Sequence, residues 1–327
     1  MNLDQTKAHH FVAAAEHALD RLDKFVVERL AEQGEPASRS AVQRWIRAGR
    51  VTLAGRAASA SDTVNIGAIV EVCPLPPETT RLSPDVTVVF DVLYEDSHLI
   101  IVDKPGGLVV HPGRGHAAKT LVHGLLARGS FTKEGEEESV RPGIVHRLDK
   151  GTSGILVVAK NERTREGLKS QFARHDIERA YVAIVMGRAE NAEFETLHGR
   201  HPTDRLRFTT RVARGRRAST RVRVLERLGA TGAATLVECR LETGRTHQIR
   251  VHLFECAKTP ILGDPLYGKK PVDPLFCSIG ERLGRQALHA FLLGFVHPVT
   301  GERVRFERPP PFDFTDALDA IRKGKLG

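Results

Sequence analysis

Two polar strings in this sequence carry residue types that can make and break bonds. In the first, Gly143-Ile-Val-His-Arg-Leu-Asp-Lys-Gly-Thr-Ser-Gly-Ile-Leu-Val-Val158, apolar flanks enclose His146, Arg147, Asp149, Thr152 and Ser153. This reads as a polar loop that buried strands hold in place. Positive charge at Arg147 and Lys150 favours the ionised form of the Asp149 carboxyl. A lone Asp in a loop usually stitches an Asx-type turn, so the surrounding string is what gives Asp149 a chemical reading. The second string is Glu242-Thr-Gly-Arg-Thr-His-Gln-Ile-Arg-Val-His-Leu253. It begins where a strand ends and opens a helix at Thr246, with Gly244 allowing a sharp turn. Ile249 and Leu253 sit four apart and face the core, leaving Gln248, Arg250 and His252 partly elsewhere. Arg250 is then either a surface cation or a buried fork that orients an active-site carboxylate.

The elements around these strings predict an α+β domain. Val92 to Tyr94 and Leu99 to Val102 form a hairpin, and Ile155 to Val158 is a short buried strand. Asn161 caps a helix carrying Leu168 and Phe172. Tyr181 to Val185, Phe208 to Val212, Thr220 to Leu225 and Leu236 to Leu241 add strands. Ala287 to Val296 and Val304 to Phe306 flank a turn at Thr300-Gly301. Turns join these strands more often than crossover helices do, so the sheet is mixed and largely antiparallel, with helices flanking it.

At 327 residues the chain is long for one core, and its composition divides it. Residues 1–17 read as a tail. Residues 18–75 form a small α/β unit: Leu22, Phe25, Val26 and Leu30 recur at helical spacing, as do Val42, Trp45 and Ile46, and short strands follow Gly49. Residues 76–87 sit in a proline-rich linker. The larger domain spans 88–327. Hydrophobic residues at 41% and charged residues at 27% exclude a disordered or fibrous chain. No run reaches the roughly 18 apolar residues of a membrane span, and four scattered cysteines suit a reducing cytoplasm.

The net charge is +9, with 36 Arg against 13 Lys, and it is concentrated in two stretches. Between Glu35 and Asp62 lie Arg39, Arg44, Arg47, Arg50 and Arg56 with no acidic residue. From Arg200 to Arg223 nine arginines, among them Arg205, Arg207, Arg216 and Arg217, face only Asp204. Arginine grips phosphate bidentately, so both stretches are candidate nucleic-acid surfaces. Two decoys fail. Gly263 to Lys269 has P-loop spacing, but Lys270 replaces the hydroxyl residue and Pro271 follows, leaving a turn near the active site. His247 and His252 are five apart without the intervening Glu of a zinc-protease helix, and His111 with His116 has no third ligand, so no metal site is expected.

The string His146-Arg-Leu-Asp149-Lys-Gly-Thr-Ser-Gly154 resembles the signature of the RluA family of RNA pseudouridine synthases. Gly244-Arg-Thr-His-Gln-Ile-Arg250-Val-His252 resembles that family's later motif. Leu93 to Asp96, Asp103 to Pro112, Ile261 to Gly268 and Gln286 to Ala290 extend the match in family order across essentially the whole catalytic region. Residues 18–75 resemble the small RNA-binding domain shared with a ribosomal small-subunit protein. His201-Pro-Thr and Arg285 to Ala290 look most like the RluD branch, which modifies large-subunit ribosomal RNA.

The resemblance implies that Asp149 is the catalytic aspartate, Tyr181 the aromatic packed on the uracil, and Arg250 the partner of Asp149. Arg147 matches the arginine that enters the space left by the flipped nucleotide, and His146 joins it as an RNA contact. The reaction breaks the C1′–N1 bond, rotates the uracil and rejoins it through C5, with no redox change or added group, so no cofactor is needed. A carboxylate can attack C1′ or remove a ribose proton, and both routes stay open. Tyr181 can handle the C5 proton, or can simply fill the core. The expected partner is large-subunit ribosomal RNA or its precursor, bound by a monomer away from any membrane. A sister enzyme of transfer RNA and a non-catalytic assembly protein are the alternatives.

Overall fold

The computed structural model describes residues 8–75, 82–113, 118–130, 143–229, 232–268, 271 and 273–324. The chain divides into two compact units, residues 1–80 and 81–327. In the first, strands β1 (His9–Val12), β2 (Val51–Leu53), β3 (Arg56–Ala57) and β4 (Ile69–Val72) form a sheet in the order β1-β4-β2-β3. Helices α1 (Leu22–Glu32) and α2 (Arg39–Arg47) bury Phe25, Val26, Val42 and Trp45 beside Val70 and Val72. Ser38 caps α2 by accepting from the Ala41 N–H, and Gly49 follows its end with φ +68°. Part of the stretch read as a tail is structural: His9 pairs with Val72 and Val12 with Ile69, which seats Phe11 in the core.

The second unit is built on ten strands: β5 (Asp91–Glu95), β6 (Leu99–Lys104), β7 (Ser153–Ala159), β8 (Glu178–Met186), β9 (Ala192–Arg200), β10 (Phe208–Thr209), β11 (Arg216–Leu228), β12 (Ala234–Leu241), β13 (Leu288–Val296) and β14 (Arg303–Glu307). Their order is β10-β9-β11-β12-β8-β13-β7-β6-β5, with β14 also on β13. Among the described residues only the β13–β7 pairing is parallel, as expected for a mixed, largely antiparallel sheet. The run in β7 alternates between two cores: Leu156 and Val158 enter one with Ile100 and Val102, while Ile155 and Val157 enter the other with Leu99 and Ile101.

Helices α3 (Leu121–Ala127), α4 (Glu162–Arg174), α5 (Gln248–Val251), α6 (Pro274–Leu283) and α7 (Phe312–Lys323) complete this unit. Asn161 caps α4 through the Thr164 N–H at 3.0 Å. Three expectations need correction. The helix expected from Thr246 begins at Gln248, lasts one turn and continues as a π-turn over His252–Cys256. The strand expected over Phe208 to Val212 is only β10, because Glu255 takes the Thr209 and Thr210 hydroxyls and the Thr210 N–H, bending the chain away. The linker is shorter at its far end, since the Asp85 N–H donates to the His123 carbonyl of α3 at 3.0 Å; residues 76–81 lie outside the described residues.

Candidate active site

Asp149 sits in the loop entering β7, and that loop is held by its backbone. The Lys150 carbonyl accepts from Lys104 Nζ at 3.2 Å and from the Gly107 N–H at 2.8 Å. Arg285 Nη1 donates to the Gly151 carbonyl at 3.0 Å, and Gln286 Nε2 to Thr152 Oγ1 at 3.1 Å. Lys104 is wholly buried, which pulls its ammonium down to about 7, and nearby Arg285 adds to the effect. The Asx-turn alternative would spend the Asp149 carboxylate on this loop. Instead its carbonyl takes the Thr152 N–H, and the carboxylate turns to Arg250.

Arg250 leaves α5 buried, at 4% exposure, and does not lie on a solvent face. Its Nη1 donates to Asp149 Oδ2 at 3.0 Å, while Nε and Nη2 grip Asp264 Oδ2 and Oδ1 at 2.7 and 2.8 Å. Burial opposes the guanidinium charge, but the two carboxylates outweigh it and hold Arg250 above its ordinary value. Asp264 is positioned in turn by the Leu266 and Tyr267 N–H groups at 2.9 and 3.0 Å. Arg250 is thus fixed from behind, and it leaves Asp149 Oδ1 without a partner among the described residues.

Tyr181 projects from β8 into the same cleft, beside Asp149, Arg147, Arg245, His247 and Arg250. Burial pushes its phenol up, so near neutral pH it is a neutral hydroxyl that can relay a proton. Gln248, which the sequence placed partly off the core, is buried. It ties the loop to β11 by accepting from the Thr243 hydroxyl and Arg245 N–H and donating to the Ser219 carbonyl and Thr220 Oγ1.

The arginine surfaces differ from expectation at named positions. His146, expected as an RNA contact, is half-buried and engaged within the protein: its Nε2 accepts the Val157 N–H at 3.1 Å, its ring packs on Phe172, and loss of solvation drives it down to about 3. Arg39 is spent on Asp23, at 2.9 and 2.8 Å. Arg217 bridges Glu195 and Glu242, Arg221 pairs with Glu193, and Arg223 with Glu238 at 3.1 Å. The acidic partners come from other strands and from α1, so a count along the sequence misses them. Arg147, Arg205 and Arg216 are exposed, and with Arg200, Arg207, Arg211 and Arg214 they form no ion pair among the described residues. Arg207 lies over the Tyr267 and Phe254 rings, at 5.2 and 5.5 Å from their centroids. On α2, Arg47 is exposed, and Arg44 lines a groove with Trp45 and Ser38. Asp264, His247 and Tyr267 were not singled out for roles in the site. The signals in reach were the Gly263–Gly268 turn for Asp264 and Tyr267, and the second polar string for His247.

Comparison with known proteins places these features. The pattern of the RNA pseudouridylate synthase family matches residues 98–255, and that of the S4 domain matches residues 20–70. The chain is 42% identical to the ribosomal large subunit pseudouridine synthase D of Xanthomonas campestris pv. campestris, covering 90% of this chain and 88% of that one. It is 40% identical to the uncharacterized RNA pseudouridine synthase YlyB of Bacillus subtilis, covering 95% and 97%. It is 36% identical to RNA pseudouridine synthase 2, chloroplastic, of Oryza sativa, covering 98% and 84%. Among solved structures, human RNA pseudouridylate synthase domain containing 4 shares the fold at a TM-score of 0.52 and 25% identity, over 71% of this chain and 92% of that one. The chain belongs to the RNA pseudouridine synthase family, enzymes that isomerise uridine in RNA. Among the described residues no helix is long and apolar enough to cross a membrane.

Proposed function

We propose that this enzyme converts uridines of large-subunit ribosomal RNA to pseudouridine, with Asp149 as the reactive group. The observation that carries the reading is the asymmetric hold on Asp149: in the cleft that it lines with Tyr181, Arg250 takes Oδ2 at 3.0 Å and Oδ1 has no partner among the described residues. Oδ1 can attack C1′ of an extruded uridine, so that the C1′–N1 electron pair leaves with the uracil. After the ring turns, C5 bonds to C1′ and displaces the carboxylate; N1 ends protonated and C5 loses its proton, for which the Tyr181 hydroxyl is the relay. Removal of a ribose proton by Asp149 is the other route, and the same geometry serves it. No cofactor enters either balance. Extruding the base costs a few kcal/mol of stacking, and Arg147 at the rim can fill the gap.

The unpaired arginines between Arg200 and Arg216 form the backbone track, and Arg44 and Arg47 of the small unit a second grip. Large-subunit RNA is favoured because several relatives, including that of Xanthomonas, carry that substrate in their names. The enzyme works as a monomer in the cytoplasm. Pseudouridine mapping of total RNA from cells with and without the protein tests this. Marks lost from large-subunit ribosomal RNA are expected, and loss confined to transfer RNA would overturn the substrate.

A further inference from the structure

A hydrogen-bonded chain that the scheme above does not use ends beside Asp149. Tyr267 is 1% exposed, and its phenol oxygen accepts the Phe208 N–H at 2.8 Å and lies 2.9 Å from His247 Nδ1. The other imidazole nitrogen, Nε2, faces Asp149 Oδ2 at 3.9 Å. A phenol has one proton to give. If His247 carried its proton on Nδ1, the Tyr267 proton would have no acceptor among the described residues, which is costly in a buried site. Donation from Tyr267 to Nδ1 satisfies both groups and makes His247 the Nε2–H tautomer. Burial holds both neutral, driving His247 below its ordinary value and Tyr267 up to about 12. The backbone of His247 is left-handed, at φ +59° and ψ +17°, a conformation an L residue adopts only when its surroundings hold it there.

The 3.9 Å between Nε2 and Oδ2 is too long for a hydrogen bond and leaves room for one oxygen bonded to both. The reaction supplies such an atom. A carboxylate attacking C1′ of a β-nucleoside approaches opposite the base, and the ribose 2′-hydroxyl projects from the neighbouring carbon on that same face. We propose that His247 touches the substrate: its Nε2–H donates to the 2′-hydroxyl of the extruded uridine, that hydroxyl donates to Asp149 Oδ2, and the pair makes the site selective for ribose over deoxyribose. This rests on the reading that the cleft receives an extruded uridine.

The test is a cycle between protein and sugar. His247→Asn suits the left-handed backbone and keeps a polar group near Tyr267, but its shorter side chain withdraws the donor from the cleft. His247→Gln reaches further and restores it. With full-length protein and RNA carrying either uridine or 2′-deoxyuridine at the mapped target, H247N should slow single-turnover isomerisation of uridine about five- to tenfold. It should stay within about twofold of the wild type on deoxyuridine, while H247Q recovers most of the loss on uridine. Where the deoxy substrate does not react, the same ratios are read from dissociation constants. An equal penalty on both sugars would overturn the proposal, as would long-range 1H–15N spectra showing the His247 proton on Nδ1. A wild-type protein that forms no pseudouridine would instead sink the functional reading beneath it.

Discussion

Asp23 in the small unit and Asp149 in the catalytic unit are both gripped by arginine, and they differ in how much of the carboxylate is used. Asp23 is fully buried, and both of its oxygens are taken: Arg21 and Arg39 each reach across the pair, and Gln43 Nε2 adds a third donor at 2.6 Å. Among the described residues Asp149 is held through Oδ2 alone, by an arginine that Asp264 holds from behind. A saturated carboxylate is a joint between helices. A half-held one has a fixed direction and an unspent oxygen, as a reactive group requires.

Short of changing Asp149 itself, the largest effect that separates the two should come from Arg250→Lys. Lysine cannot grip Asp264 with two parallel bonds while holding Asp149 with a third, so Asp149 loses its aim. A loss of about a hundredfold in kcat/KM is expected, with RNA affinity nearly unchanged; a loss confined to affinity would make Arg250 an RNA contact. Asp23→Asn should act on stability instead, costing about 2–3 kcal/mol near neutral pH. Burial works to raise the Asp23 carboxyl, but hydrogen bonds from Arg39, Arg21 and Gln43 hold it well below the usual carboxylate range. Its contribution is therefore complete above about pH 4 and is lost as the pH falls toward the lowered value. Denaturant titrations at neutral and acid pH should show that loss in the wild type, with a flatter response in the variant. The smallest effect contrasts two neighbours. Arg216→Gln should lower the salt dependence of RNA binding by about one unit of slope, whereas Arg217→Gln, already paired to Glu195 and Glu242, should lower it by much less.

Asp149 and Arg250 stand out as candidates because each sits in a contiguous polar string whose residue types are unusual for loops and helices, whereas Tyr181 is marked only by the family resemblance. The sheet class was legible from short apolar runs joined by turns. Strand β9 and helices α3, α6 and α7 were not: in β9, Glu193 and Glu195 alternate with Phe194 and Leu197 only weakly, and their meaning lies in the arginines of β11 opposite them. The ion pairs of Arg39 and Arg217 escape a reading along the sequence for the same reason, since their carboxylates arrive from α1, β9 and the end of β12. Asp264 was hidden in a string that spacing alone marks as a turn. Its clamp on Arg250 joins residues 14 apart through a π-turn that no periodicity announces.

In the proposed reaction the Asp149 carboxylate performs the chemistry and is dispensable for holding RNA. Single-turnover isomerisation and equilibrium RNA binding by Asp149→Asn test it together. Pseudouridine formation should fall by at least about a thousandfold, with the dissociation constant within about threefold of the wild type. Retained isomerisation, or a loss of activity that tracks a loss of binding, would exclude Asp149 as the reactive group.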